Sequence, residues 1–343
     1  MTEHADPRSS HPTGGEHPAS LIGNRASEIL KGIEDFYLPD SEPYKGSVFP
    51  GPKIVPEELR AFVLALADQS RAHYQQKGVR DFRMTLEGIT FRVHLQETVA
   101  GLYHVMRRVR HDIAPLESLG LPPPIREAIL SKALLGGGLV LLSGRNGHGK
   151  TTTCCSSIVA RLQTYGGICM TLEDPVEKPM QGWYRGEDGV IGQCIQCPVE
   201  GGDFAPAIRD AMRLFPSQQR SSMLLVGEIR DSETAAQVIR ASINGQLVFT
   251  TLHSLSLLSA LERIVAMADN VIDAKTLLGT ALRLALHQKI ENGRLTLQVL
   301  YSPNENSRVA AGIKGNKIQN LSTEIEQQLR HIELGRSLTT SLN

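Results

Sequence analysis

Aromatic side chains make up only 5% of this 343-residue chain, and tryptophan occurs once. An excess of either charge is also missing: 36 Lys and Arg balance 36 Asp and Glu. Nucleic-acid-binding surfaces combine net positive charge with stacking rings, so these two shortages argue against a nucleic-acid partner, although a local basic patch stays compatible. No apolar run reaches the ~20 residues of a membrane span. The longest, Ala133 to Leu142, is interrupted by three glycines. The polar start, Met1 to Ser20, lacks the apolar core of a signal peptide. Five cysteines without an export signal point to reduced thiols and the cytoplasm. What is present, 41% hydrophobic and 21% charged residues, can bury a core. The length suggests about two domains.

Residues 1–24, rich in Pro, Gly, Ser and His, read as a disordered tail. His4, His11 and His17 there are spaced irregularly, which favours a solvated tail over a metal site. Residues 25–112 read as a small α+β domain. Leu59, Phe62, Val63 and Leu66 share one face of a helix over Pro56 to Ala67. Asp81 to Leu86 and Ile89 to Leu95 alternate around Glu87-Gly88, as a hairpin does. A third run, Gly101 to Arg110, ends in the cluster Arg107 to His111, either an exposed basic corner or arginines aimed at an anion. Residues 113–124, with Pro122-Pro123-Pro124, read as a linker. A helix is expected over Ile125 to Leu135.

Beyond it the chain alternates. Strands are expected at Gly138–Ser143, Gly167–Leu172, Ser222–Val226 and Gln246–Thr251, with helices at Thr151–Thr164, Phe204–Leu214 and Glu233–Ile243. Short, fully apolar strands separated by helices predict an α/β domain with a parallel sheet covered on both faces. A helix from about Asp273 would carry Leu277, Leu278, Leu282, Leu284 and Ala285, and Asn320 to Leu334 is amphipathic. Cys194-Ile195-Gln196-Cys197 reads as an ordinary loop, since two thiolates do not complete a tetrahedral zinc site and Cys154, Cys155 and Cys169 are wrongly spaced to finish one.

The first strand runs into Gly144-Arg145-Asn146-Gly147-His148-Gly149-Lys150-Thr151-Thr152, which fits the phosphate-loop pattern Gly-x-x-x-x-Gly-Lys-[Ser/Thr]. Polyphosphate needs converging backbone N–H groups. Gly144, Gly147 and Gly149 clear side chains from that approach and permit positive φ. A helix starting near Lys150 adds free N–H groups and the positive end of its dipole. Lys150 supplies a mobile charge for the β- and γ-phosphates, and the Thr151 hydroxyl can reach Mg²⁺.

Polar groups end three other strands, where ligands bind on parallel sheets. Glu173 and Asp174 follow the second; either can polarise water or hold Mg²⁺ through water, or both are merely a turn closed by Pro175. Glu228 follows Met223 to Val226, suited to carry a carboxylate to Mg²⁺ or the attacking water, with Gly227 where many ATPases place Asp. Arg230 and Asp231 read equally as a local ion pair. His253 ends the last strand, as a structural histidine or a sensor of γ-phosphate.

In order, the phosphate loop, Leu172 to Glu177, Leu225 to Asp231 and Gly245 to His253 resemble the Walker A, Asp box, Walker B and His box of the secretion and pilus ATPase superfamily. The PilT-like branch is the nearest in flavour, and DotB-type secretion ATPases are also similar. The resemblance covers about residues 80–300. It implies a RecA-like ATPase domain, a smaller N-terminal PAS-like domain and a homo-hexamer using ATP and Mg²⁺. It further implies a cytoplasmic position at the inner membrane, with platform proteins of a pilus or secretion machine as partners. By resemblance Glu173 is the general base, Glu228 the Walker B acid, with Thr151 on Mg²⁺, and His253 the His-box residue. Arg92 and Arg107 match arginines that reach γ-phosphate across a domain or subunit boundary. The family's Ser-Asp-Leu-His motif and the four-cysteine metal element of its assembly and type II secretion branch are absent. A helicase-like nucleic-acid motor on the same core is the alternative.

Overall fold

The computed structural model describes residues 23–109, 113–216, 221–268 and 272–339. The tail, residues 110–112 and the extreme C-terminus lie outside them, including the end of the basic cluster after Val109. The chain divides into two compact units, Met1–Arg110 and His111–Asn343.

In the first unit, α1 (Asn24–Lys31) is followed by β1 (Asp35–Pro39), β2 (Ser47–Phe49), β3 (Lys53–Ile54), α2 (Arg60–Lys77), β4 (Asp81–Leu86), β5 (Ile89–Thr98) and β6 (Gly101–Arg108). The strands form one antiparallel sheet in the order β3-β2-β1-β6-β5-β4. The alternation seen in the sequence decides which side is buried: Phe91, Val93 and Met106 pack with Phe62, Val63 and Leu66 of α2. Glu87 and Gly88 both take positive φ (51° and 74°), the two-residue turn whose twist suits a hairpin.

The second unit contains α3 (Pro123–Ile129), β7 (Gly138–Ser143), α4 (Lys150–Tyr165), β8 (Gly167–Glu173), β9 (Gly182–Arg185), β10 (Ile191–Pro198), α5 (Phe204–Leu214), β11 (Ser222–Val226), α6 (Ser232–Ile243) and β12 (Leu247–Leu252). Then come α7 (Leu257–Met267), α8 (Ala274–Ala281), β13 (Leu282–Glu291), β14 (Arg294–Tyr301), α9 (Arg308–Lys314) and α10 (Leu321–Glu333). Its sheet runs β14-β13-β7-β12-β11-β8-β10-β9, parallel from β13 to β10, with β14 and β9 antiparallel at the edges. Every residue of β7 is buried, and alternate side chains enter different cores. Leu139 and Leu141 join one cluster with α6, whereas Val140 and Leu142 join another with α4. Such double coverage is why these strands read as unbroken apolar runs.

Three expectations need correction. The helix from Asp273 ends at Ala281, and Leu282, Leu284 and Ala285 lie on β13, the parallel neighbour of β7. The stretch Ile125 to Leu135 divides into the short α3 and a 3₁₀ turn at Lys132–Gly136. Cys194 to Cys197 belongs to β10, paired along β8, so a strand replaces the expected loop. Leu116 and Leu121 are buried in the second unit's core.

Candidate functional site

Parallel strands bring their carboxyl ends to one edge, and β7, β12, β11 and β8 are consecutive neighbours there. The phosphate loop leaves β7. Its first glycine, Gly144, has φ 144°, and a Cβ there would lie 2.3 Å from the Gln288 carbonyl oxygen of β13. Gly147 and Gly149 also take positive φ, and Gly149 caps α4. Arg145, Asn146 and Gly147 are exposed, while His148, Gly149, Thr151 and Thr152 are half-buried. His148 Nδ1 donates to the Gln288 carbonyl at 3.0 Å, so β13 braces the loop from outside.

Lys150 opens α4 and is 7% exposed. Its ammonium donates to the Arg145 carbonyl at 3.0 Å and approaches His253 Nδ1 at 3.4 Å. Burial pushes Lys150 below the ordinary lysine range, and the negative charges of Glu228 and Glu177 oppose that shift. Because Nδ1 of His253 faces an ammonium, which only donates, the hydrogen-bond network places the ring proton on Nε2. That nitrogen lies 3.3 Å from Glu228 Oε2. Arg230 Nε donates to Glu228 Oε1 at 2.6 Å, and Arg230 Nη1 lies 3.8 Å from Asp174 Oδ2. A chain of polar and charged side chains therefore crosses the sheet edge from Lys150 through His253, Glu228 and Arg230 to Asp174. Asp231 takes no part in it: its carboxylate caps α6 by accepting from the Thr234 backbone and hydroxyl.

Glu173 ends β8 with 3% of its surface exposed. Its Oε1 accepts from the Thr171 hydroxyl at 2.7 Å and from Gln196 Nε2 at 2.9 Å. Burial pushes this carboxyl above its ordinary range, against those hydrogen bonds and one from the Glu177 backbone.

Arg92 and Arg107 stand in register on β5 and β6, within a cross-strand row that runs from Arg83 through both to Asp35. Arg92 pairs with Asp81 at 3.0 Å, and Arg107 with Asp35 at 2.6 Å. Both ion pairs are internal to the first unit.

Sequence reasoning missed Gln196, hidden inside the cysteine pair. It also missed Arg263 of α7, which donates to the His253 carbonyl at 2.6 Å, and the bracing role of Gln288. Only the approach to Gly144 offers a signal for the last, because a glycine that tolerates no Cβ implies a close backbone neighbour.

A parallel sheet flanked by helices, with a glycine loop feeding a helix that starts at lysine, defines a RecA-like P-loop nucleotide-binding fold. Residues 62–309 match the family model of the type II/IV secretion system protein, and the chain belongs to that family. It is 29% identical over 247 residues to the type IV pilus ATPase PilU of Pseudomonas aeruginosa, across 69% of this chain and 60% of PilU. With the type II secretion system protein HxcR of the same organism it shares 31% identity, across 68% of this chain and 48% of HxcR. The chain thus spans about half the length of these curated relatives. A crystal structure of the pilus retraction motor PilT with bound ADP superposes with a TM-score of 0.68 at 26% identity, covering 91% of this chain and 94% of that one. Among the described residues, no helix is long and apolar enough to cross a membrane.

Proposed function

We propose that this protein hydrolyses ATP and works as a hexamer at the inner membrane, powering a type IV pilus or type II/IV secretion machine. The observation that carries the reading is the convergence of Lys150, His253 and Glu228 at the end of the phosphate loop, with Glu173 held two strands away from β12. Membership of the family and the relatives named above support the machine.

On this reading the amides of Gly144 to Thr152 and the Lys150 ammonium bind the β- and γ-phosphates. Lys150 gives up the Arg145 carbonyl for a phosphate oxygen. Among the described residues no three His, Cys, Asp or Glu side chains converge as a metal site. The Thr151 hydroxyl and the Glu228 carboxylate are hard oxygen donors that fit Mg²⁺ arriving with the nucleotide, an ion that keeps part of its water shell. Mg²⁺ would neutralise charge on the phosphates. Glu173 takes a proton from the water that attacks the γ-phosphorus, as the bond to the β-phosphate oxygen breaks. An up-shifted carboxyl suits that task, since a base works best with its pKa moved towards the working pH. Arg92 and Arg107 would leave Asp81 and Asp35 for the γ-phosphate; a well-placed arginine is worth ~10³ or more in rate.

The test uses purified protein. Wild type hydrolyses ATP, Lys150→Ala fails to bind nucleotide, and Glu228→Gln binds it without turnover. Undiminished turnover in both variants sinks the assignment.

A further inference from the structure

Gln196 is saturated with hydrogen bonds. Its Oε1 accepts from the backbone N–H groups of Met180 at 2.6 Å and Gln181 at 2.9 Å. Two donors on the oxygen fix which end of the amide is which. The –NH₂ end donates to the Lys178 carbonyl and to Glu173 Oε1, both at 2.9 Å. The backbone of Gln196 is held as well, donating to Gln181 Oε1 at 2.7 Å. Its register partner across β8 is Thr171, the other side chain that donates to Glu173 Oε1. An amide with every donor and acceptor used cannot rotate without breaking several bonds at once.

We infer that Gln196 is a positioning residue that fixes the Glu173 carboxylate for proton abstraction. The inference rests on the ATPase reading of the site. Glu173 receives three donors: the Thr171 hydroxyl, the Gln196 amide and the Glu177 backbone N–H. A carboxylate offers about four acceptor positions, so one stays open for a water. Thr171 lies on the same strand as Glu173, and Glu177 is in the turn that follows. Among the described residues, Gln196 alone ties the carboxylate to a different strand and, through Lys178, Met180 and Gln181, to the loop beyond Pro175. The titratable neighbours of Glu173 are Glu177 in that loop, Cys154 and Cys155 on α4 and Cys169 on β8. Burial holds all three thiols protonated, which leaves Glu177 as the neighbouring charge.

A structural staple and a positioning group can be separated. Gln196→Glu keeps an acceptor for Met180 and Gln181 but removes the donor to Glu173. Gln181→Met breaks only the staple to β10. The expected result for Gln196→Glu is a kcat on the order of 10- to 100-fold lower, with KM for ATP within about twofold. The acidic limb of its kcat–pH profile moves up, since the charged base has lost a donor. Gln196→Met, which adds no charge, shifts that limb the same way. Gln181→Met leaves the limb in place and keeps kcat near that of wild type. An unmoved limb in both Gln196 variants, or an equal loss and shift in Gln181→Met, overturns the inference. Glu173→Gln separates the two levels: if it still turns over ATP, the base assignment fails; if it is dead while both Gln196 variants match wild type, only the role of Gln196 fails.

Discussion

Gly144 shows how little freedom a single position in the loop has. A Cβ would meet the Gln288 carbonyl at 2.3 Å, and φ 144° is disfavoured for any L side chain. Gly144→Ala should therefore cost on the order of 1–3 kcal/mol and displace the loop from β13. Chemical denaturation reads the first effect and nucleotide affinity the second. Gly147 has no atom within 4 Å of a Cβ, and its constraint is backbone strain alone at φ 77°. The milder penalty expected for Gly147→Ala, compared in the same denaturation experiment, separates strain from collision. Lys150, Glu228 and His253 were legible as individual residues because each ends an apolar strand or fills a spaced motif. Their contact was not, since Lys150 and His253 are 103 positions apart and meet only through the order of β7 and β12.

Elements with one dominant pattern were the readable ones. Buried parallel strands show as unbroken apolar runs, and β7 and β11 occupy the expected spans. The boundary between α8 and β13 was unreadable for a physical reason. Leu278, Leu282 and Ala285 fit a helical face, while Leu282, Leu284 and Leu286 fit alternation, and no glycine or proline separates the two elements. β10 was hidden because Gly192, Gln193 and Gln196 interrupt its apolar character, although Gln196 is held there by partners 15 to 23 residues away.

In the first unit, α2, β6 and the residue after β1 are joined by a network centred on the buried His104 and Ser70, with Asp40 and Arg71 half-buried at its edge. His104 Nε2 lies 2.7 Å from Asp40 Oδ1, its Nδ1 lies 2.8 Å from the Ser70 hydroxyl, and Arg71 donates to the same Asp40 oxygen. Burial pushes His104 below 6.5, although Asp40 opposes that shift. The unfolded chain then binds more protons as pH falls below about 6.5, so the folded state loses at most about 1.4 kcal/mol per pH unit through this group. Between pH 7.5 and 5.5, His104→Gln should show a smaller drop in stability than wild type. Urea midpoints at the two pH values measure the difference, and an equal drop would leave the buried neutral histidine without support.

At the scale of the whole molecule, the two units bear different parts of the proposed reaction. The second contains the phosphate loop, Glu173 and Glu228; the first contains Arg92 and Arg107, each held by an acid of its own sheet. Exposed ion pairs of this kind are worth ~0–1 kcal/mol, so releasing the arginines to a phosphate is a small cost. The proposed hexamer would allow the arginines of one subunit to serve the site of another. Mass measurement with and without nucleotide should find a hexamer, and a strict monomer at high concentration in both conditions would count against it.

Single-turnover hydrolysis of ATP by Glu173→Gln, beside wild type and at saturating nucleotide, is the most direct measurement. Nucleotide binding should persist while the chemical step slows by on the order of 10²–10⁴, the usual worth of a general base. Hydrolysis at the wild-type rate would show that Glu173 is not the group that activates water, and the proposed chemistry at this sheet edge would be wrong.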